Sequence, residues 1–323
     1  MNPLAAVSSF KPYMKVIFFG TPQFAADVLT YLLDNKVDVA AVVTRVDKPK
    51  GRSGDPVASP VKQVALEHSL TVHQPVRSSS PEFVEVLASY QADLFVVVAY
   101  GEIVKESVLA LPKKGCINVH PSLLPKFRGA APIQQAIIHG ETQTGVCIMH
   151  MVKEMDAGDV ISTVISPIAP DVTYGELEHS LRHLGAVALL DVIHKLEKGA
   201  VTATPQDPSQ VTFAKKIELE DCQIDWTRDA QDIHNLVRGT NPAPGAWCAI
   251  NINGIPKRLK ILKTSVVKTL TGTSGAILSY GKEGLIIACG IHAIRILEVK
   301  PEGKRAMPAE DMMRGISKDS FTL

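Results

Sequence analysis

Along residues 15–99 short apolar runs alternate with amphipathic stretches. Residues 15–19, 38–44 and 92–99 are mostly apolar, with five apolar residues in a row from Leu94 to Val98. Runs of that length bounded by turn residues read as buried strands. Residues 25–33, 59–68 and 82–90 repeat apolar side chains at helical spacing. Strands alternating with helices predict an α/β fold with a doubly wound, mostly parallel sheet, covered on both faces. Residues 173–198 predict a long helix. Thr173 and Glu176 have capping-box spacing, the stripe is Leu177, Leu181, Leu184, Ala188, Val192 and Leu196, and Gly199 follows as a stop. The polar stretch VTATPQDPSQV (201–211) holds two prolines and reads as a linker. Then the pattern changes. Residues 247–252, 258–267, 275–279, 285–288 and 294–299 are short β-type runs between Gly-containing turns, which predict a small β barrel. The predicted organisation is an α/β domain over 14–199, a linker over 200–217 and a β-barrel domain over 218–323.

Composition narrows the picture. A chain of 323 residues suits two domains, and 46% apolar residues suffice for their cores. No apolar run is long enough to span a bilayer. Residues 1–13 lack the apolar segment of a signal peptide, and Met14, directly before the first predicted strand, is a candidate start. The five cysteines are odd in number and form no CxxC pair, which favours a reducing cytoplasm and argues against structural zinc. A net charge of +1 does not point to nucleic acid. Residues 251–268, however, carry Lys257, Arg258, Lys260, Lys263 and Lys268 with no acid. A solvated strand face is the ordinary explanation; a phosphate-facing patch is the functional one. GTPQF, after the first strand, has one glycine where a dinucleotide fingerprint needs three. Gly20 instead reads as a close strand-to-helix turn.

The chemistry concentrates in GCINVHPSLLPKFRGAAPI, residues 115–133. Asn118 and His120 are two apart in a β-type run, so they share a face, with Ile117 and Val119 on the other. Pro121 cannot continue the ladder and should end the strand. In open α/β sheets ligands bind beyond strand ends. An Asn amide and a His imidazole side by side suit an oxygen that gains negative charge. Asp156, in MDAGDV, falls in a Gly-containing turn between two apolar runs. Each of these residues alone would be ordinary. Ser122 as a nucleophile lacks a second His in any recognisable motif.

With FFGTPQFAADVL, KPKGR, ASPVK, VVVAYGEI, TGVCIM, TFAKKI, IDW and PEGKRAM in order, these residues resemble the 10-formyltetrahydrofolate-dependent formyltransferases over residues 15–313. Within that family the likeness is greatest to members that formylate a charged initiator tRNA. The resemblance implies a formyltransferase-type sheet followed by an OB-like barrel, and Asn118, His120 and Asp156 as catalytic residues. It implies 10-formyltetrahydrofolate as co-substrate, without a metal. Folate contacts would come from Ser122, Leu123, Leu124 and Pro125, and from Ala99, Tyr100, Gly101 and Ile103, where backbone groups would read the pterin. Methionyl-initiator tRNA would be the acceptor, met by Arg52 in the loop 45–60 and by Lys257, Arg258, Lys260 and Lys263. After Arg52 the chain has Ser53, Gly54 and Asp55, where many relatives carry further basic residues. A cytoplasmic monomer with no membrane partner is expected. The alternative is a formyltransferase acting on an amino sugar nucleotide or other small amine. A single-domain glycinamide ribonucleotide enzyme would not need the barrel. An RNA-binding module would leave Asn118, His120 and Asp156 unexplained, and 5% aromatic residues make stacking platforms scarce.

Overall fold

The structure, a computed structural model, describes residues 14–49, 54–281 and 284–323. Arg52 lies outside the described residues. A seven-stranded sheet runs in the order Val160–Pro167, Gln143–His150, Cys116–His120, Leu94–Val98, Val16–Gly20, Val39–Val43, Val72–His73. From Val16–Gly20 the chain steps outward through Val39–Val43 to Val72–His73. It then returns to place Leu94–Val98 on the other side of the first strand, all of these pairs being parallel. This reversal is a topological switch point, beyond whose carboxyl ends such sheets bind ligands. Cys116–His120 adds in parallel, and Gln143–His150 pairs with it antiparallel. The sheet is therefore doubly wound and mostly parallel, as the strand–helix alternation predicts.

The helices Gln23–Asp34, Pro60–Glu67, Pro81–Ser89 and Tyr174–Glu197 fall where helical spacing places them. Thr173 and Glu176 form the expected capping box: the Thr173 N–H donates to Glu176 Oε2 (2.9 Å), and the Glu176 N–H donates to Thr173 Oγ1 (3.3 Å). At Gly20 a Cβ would lie 2.6 Å from the Ala25 Cβ and 3.1 Å from the Val98 carbonyl oxygen. Only glycine permits so close a strand-to-helix turn.

The chain folds as two compact units. One comprises the described residues up to His120 together with Cys147–Val164 and Arg182–Gln206; the other comprises Pro121–Val146, Ile165–Leu181 and Asp207–Leu323. Segments of the first 199 residues thus fold with the C-terminal sheet. That sheet is a curled antiparallel half-barrel in the order Ile277–Ser279, Leu285–Ala288, Ala293–Pro301, Ile255–Val267, Trp247–Ile252, Phe321–Thr322. The helix Ala230–Thr240, which the apolar pattern does not predict, contributes Ile233 and Val237 to a core with Leu259, Ile261, Ile294 and Phe321. It also approaches the helix Pro132–Ile138 so closely that a Cβ on Gly239 would lie 2.7 Å from Ile138. Residues 200–217 are hydrogen-bonded on the way between units. Thr204 exchanges two backbone bonds of 2.8 Å with Val160, and Phe213–Ala214 pairs in parallel with Arg128–Gly129.

Candidate active site

The strand Cys116–His120 ends at Pro121, as expected. Ile117 and Val119 are buried, and so is His120, while Asn118 is half-buried. Asn118 lies opposite Val97 of the neighbouring strand, beside the carboxyl end at the switch point. The sheet thus carries both polar side chains to the place where this architecture binds ligands.

Asp156 reaches them from a turn 36 residues further along. The Asn118 Nδ2 amide faces Asp156 Oδ1 at 3.5 Å, and His120 Nδ1 lies 3.6 Å from Asp156 Oδ2. One carboxylate therefore faces both partners, at distances beyond the usual hydrogen-bond range of about 2.7–3.2 Å.

The turn has unusual backbone. Asp156 adopts φ +52°, in the left-handed region that Asp enters more readily than most residues. At Gly158 a Cβ would meet the His150 carbonyl oxygen at 1.9 Å, so glycine is obligatory there. The turn is pinned to strand ends, with the His150 N–H donating to the Asp159 carbonyl (2.9 Å) and the Met151 N–H donating to that of Cys116 (2.8 Å). Gln206 Nε2 donates to the carbonyls of Asp156 (2.9 Å) and Gly158 (2.7 Å). Sequence reasoning misses Gln206. No periodicity marks it, and its only local signal is a polar residue between two prolines.

The loop after Leu94–Val98 takes positive φ at Ala99 (45°) and Gly101 (85°), which leaves both exposed while Tyr100 turns inward. Tyr100 is 2% exposed and stands edge-on to Phe19, ring centroids 5.5 Å apart. Its carbonyl accepts from Thr21 Oγ1 at 2.7 Å. Burial, and next the Glu102 charge, push its hydroxyl up to about 12. Of the residues assigned to the pterin, Ala99, Gly101 and Ile103 face outward, and Tyr100 is a core residue. The loop is braced by Glu102, which pairs with Arg45 and accepts from the Ser78 N–H and hydroxyl, both at 2.9 Å. Ser122 is fully buried, and its hydroxyl donates to the Lys126 carbonyl at 2.7 Å, which disfavours it as a nucleophile. Leu123, Leu124 and Pro125 are half-buried in the same loop.

The basic residues of the cluster have different partners. In the hairpin of Trp247–Ile252 with Ile255–Val267, Leu259 and Ile261 point into the core. Arg258 and Lys260 point the other way, alongside Trp247. The Arg258 guanidinium sits 4.3 Å from the Trp247 ring centroid, and Lys260 Nζ donates to the Pro244 carbonyl at 2.5 Å. Lys257 is exposed near the hairpin tip, and a register shift between Ile261 and Lys263 leaves Lys263 exposed. Among the described residues no three His, Cys, Asp or Glu side chains gather as a metal site, and no helix is long and apolar enough to cross a membrane.

A mostly parallel sheet with Asn, His and Asp at a strand end, followed by a half-barrel, describes a known class. Residues 14–193 match the family Formyl transferase and residues 216–317 match Formyl transferase, C-terminal domain, so the chain belongs to the formyl transferase family. Among its relatives, the methionyl-tRNA formyltransferase of Protochlamydia amoebophila is 54% identical, over 95% of this chain and 97% of that protein. The methionyl-tRNA formyltransferase of Chlamydia caviae is 42% identical, over 96% and 98% respectively. Solved structures share the fold. WlaRD, a sugar 3N-formyl transferase, aligns with a TM-score of 0.66 at 18% identity, over 90% of this chain and 99% of that one. HypX from Aquifex aeolicus in complex with tetrahydrofolic acid aligns with a TM-score of 0.62 at 19% identity, over 93% of this chain and 47% of that one.

Proposed function

We propose that this chain transfers the formyl group of 10-formyltetrahydrofolate to the α-amino group of methionyl-initiator tRNA, for the initiation of translation. The observation that carries the reading is the Asp156 carboxylate lying between the Asn118 amide and the His120 ring at a strand's carboxyl end. The choice of acceptor is supported by 54% identity, over nearly the full length, to a methionyl-tRNA formyltransferase. The amino sugar alternative has only a shared fold at 18% identity behind it.

The reaction forms a bond from the amine nitrogen to the formyl carbon and breaks the bond from that carbon to folate N10. Free α-amino groups titrate at about 7.7–8.0, and an aminoacyl ester lacks the neighbouring carboxylate, so the nucleophile needs little activation. The barrier lies in the negative charge that gathers on the formyl oxygen. Asn118 has two amide N–H groups, so it can face Asp156 with one and this oxygen with the other. In its doubly protonated form, with Nδ1–H turned to the Asp156 carboxylate, the His120 ring would donate through Nε2–H. Both donors stand on a rigid strand, which lets them act without reorganising. Asp156 orients the ring and takes, through water, the proton the ammonium releases; N10 gains a proton as it leaves.

The exposed backbone of Ala99 and Gly101 and the outward Ile103 side chain, 76% exposed, suit a flat heterocycle that offers polar edges and apolar faces. Ser122 to Pro125 would complete the folate contacts. Residues 14–199 would supply the chemistry, and residues 218–323, reached through 200–217, would bind tRNA by Lys257, Arg258, Lys260 and Lys263. Arg52 would approach the acceptor end. The test is steady-state formylation of methionyl-initiator tRNA against an amino sugar nucleotide and free methionine amide. We expect kcat/KM for the charged tRNA to exceed the others by orders of magnitude. Comparable values for a small amine would overturn the reading.

A further inference from the structure

We infer that Gln206 is a positioning residue for this reaction: its side-chain amide holds the Asp156 turn so that the carboxylate meets Asn118 and His120. The inference rests on the role proposed above for Asp156.

The turn needs a clamp. A non-glycine residue in the left-handed region is strained relative to ordinary backbone, so contacts around it must hold it there. Within the turn, the Ala157 N–H to Glu154 carbonyl bond is long, at 3.4 Å. The short bonds to this stretch of backbone come from outside. Gln206 Nε2 donates to Asp156 O at 2.9 Å and to Gly158 O at 2.7 Å. These carbonyls flank Ala157, so one planar amide fixes two peptide planes, one of them the plane that follows Asp156. Carbonyls only accept, and a side-chain amide has two N–H groups on its nitrogen and none on its oxygen. The chemistry therefore dictates which way the amide points.

Gln206 is itself carried on backbone structure. Two residues earlier, Thr204 exchanges two backbone hydrogen bonds of 2.8 Å with Val160, which lies two residues beyond Gly158. Pro205 stands between Thr204 and Gln206 and restricts φ. Residues 204–206 thus run alongside residues 156–160, and a segment that reads as a polar linker delivers one side chain into the catalytic turn. The distances at stake are small. Asp156 already stands 3.5 Å from Asn118 and 3.6 Å from His120, and a misplacement of about 1 Å can cost about a hundredfold in rate.

The test uses the full-length enzyme with Gln206→Met, of similar length but without donors, and Gln206→Glu, of the same shape but unable to donate when ionised. Each is measured for kcat, for KM toward charged tRNA and 10-formyltetrahydrofolate, for the pH dependence of kcat, and for Tm. Gln206→Met is also combined with Asp156→Asn. We expect kcat to fall about ten- to a hundredfold in both Gln206 variants. Both KM values should stay within about twofold, since the interaction acts on the chemical step. Tm should fall only by what two lost hydrogen bonds cost, leaving the enzyme folded at the assay temperature. The acid limb of the pH–rate profile should change in the same sense as in Asp156→Asn. In the Asp156→Asn background, adding Gln206→Met should cost little more, because its effect passes through Asp156. Multiplying losses in the double variant, wild-type kcat in Gln206→Met, or a loss accounted for by unfolded enzyme would overturn the inference. If Gln206→Met folds poorly, Gln206→Glu decides. Wild-type turnover by Asp156→Asn alone would instead sink the role of Asp156 and the proposed mechanism with it.

Discussion

At Asp156 the backbone is left-handed, and at Gly158 there is no room for a Cβ, because the turn must pass the His150 carbonyl to reach the strand end. The carboxylate is useful only through what it faces. Asn118→Ala and His120→Ala each remove one donor from a preorganised pair. Loss of a single oxyanion donor costs on the order of 10²–10³ in kcat in other enzymes, and we expect that range for each variant. The affinity for folate should change little. Single-turnover rates with saturating folate would show it, and near-normal turnover in either variant would remove that residue from the oxyanion site. The Cys116 thiol, on the same strand, does not compete for the role. Burial pushes the Cys116 thiol up to about 12, so it stays protonated and inert.

The helix Ala230–Thr240 shows what one element contributes to stability. Asp229 caps it by accepting from the Gln231 N–H at 2.8 Å. Its His234, 6% exposed, shares a hydrogen bond with Thr264 Oγ1 (2.9 Å) and lies 3.4 Å from both the Pro170 carbonyl and an Asp171 carboxylate oxygen. Burial holds the His234 pKa below its ordinary 6.5, and the Arg238 charge one turn on adds to that, against the opposing effects of Pro170 and Asp171. The folded protein therefore binds this proton less readily than the unfolded chain. The stabilisation is fully present above 6.5 and is lost as pH falls through the lower, folded value. Tm should drop from about pH 7 to about pH 5, and the slope should flatten in His234→Gln, even if that variant melts lower throughout. Carboxylates held low, such as Glu176 in its capping box, titrate below this window, while His73, also held below its ordinary 6.5 by burial, accounts for slope that remains. Parallel slopes for the two proteins would show that His234 does not set the dependence.

Over the whole molecule a net charge of +1 offers no broad field to steer a polyanion, so tRNA binding would depend on local clusters. The hairpin divides its basic residues. Lys257 and Lys263 are exposed, Arg258 stacks on Trp247, and Lys260 is held by the Pro244 carbonyl. If they face phosphates, replacing Lys257, Arg258 or Lys263 by Ala should weaken tRNA binding. The log–log salt dependence should fall by about 0.7–0.9 for each phosphate interaction removed. Lys260→Ala should change the slope less, because its ammonium already has a partner. KM for tRNA at several salt concentrations measures this, and identical slopes would return the cluster to an ordinary solvated strand face.

The sequence alone determined what depends on neighbours in the chain. The pairing of Asn118 with His120 on one strand face follows from a period of two, and the strand's end from Pro121. The capping box at Thr173, the close turn at Gly20 and the β-type runs after residue 246 are likewise local. So is the motif order that reveals the family. Tertiary structure decided which faces meet. Nothing in the spacing places Asp156 against a strand 36 residues earlier, or brings Gln206 to the Asp156 carbonyl from 50 residues later. The five basic residues of 251–268 look like one patch in the sequence. Tertiary partners give four of them different surroundings: Arg258 meets Trp247 and Lys260 the Pro244 carbonyl, while Lys257 and Lys263 stay exposed. The physical reason is that hydrophobic pattern and turn chemistry orient a side chain relative to its own element. The distance between elements is set by the packing of the whole, and the site exists only at that distance.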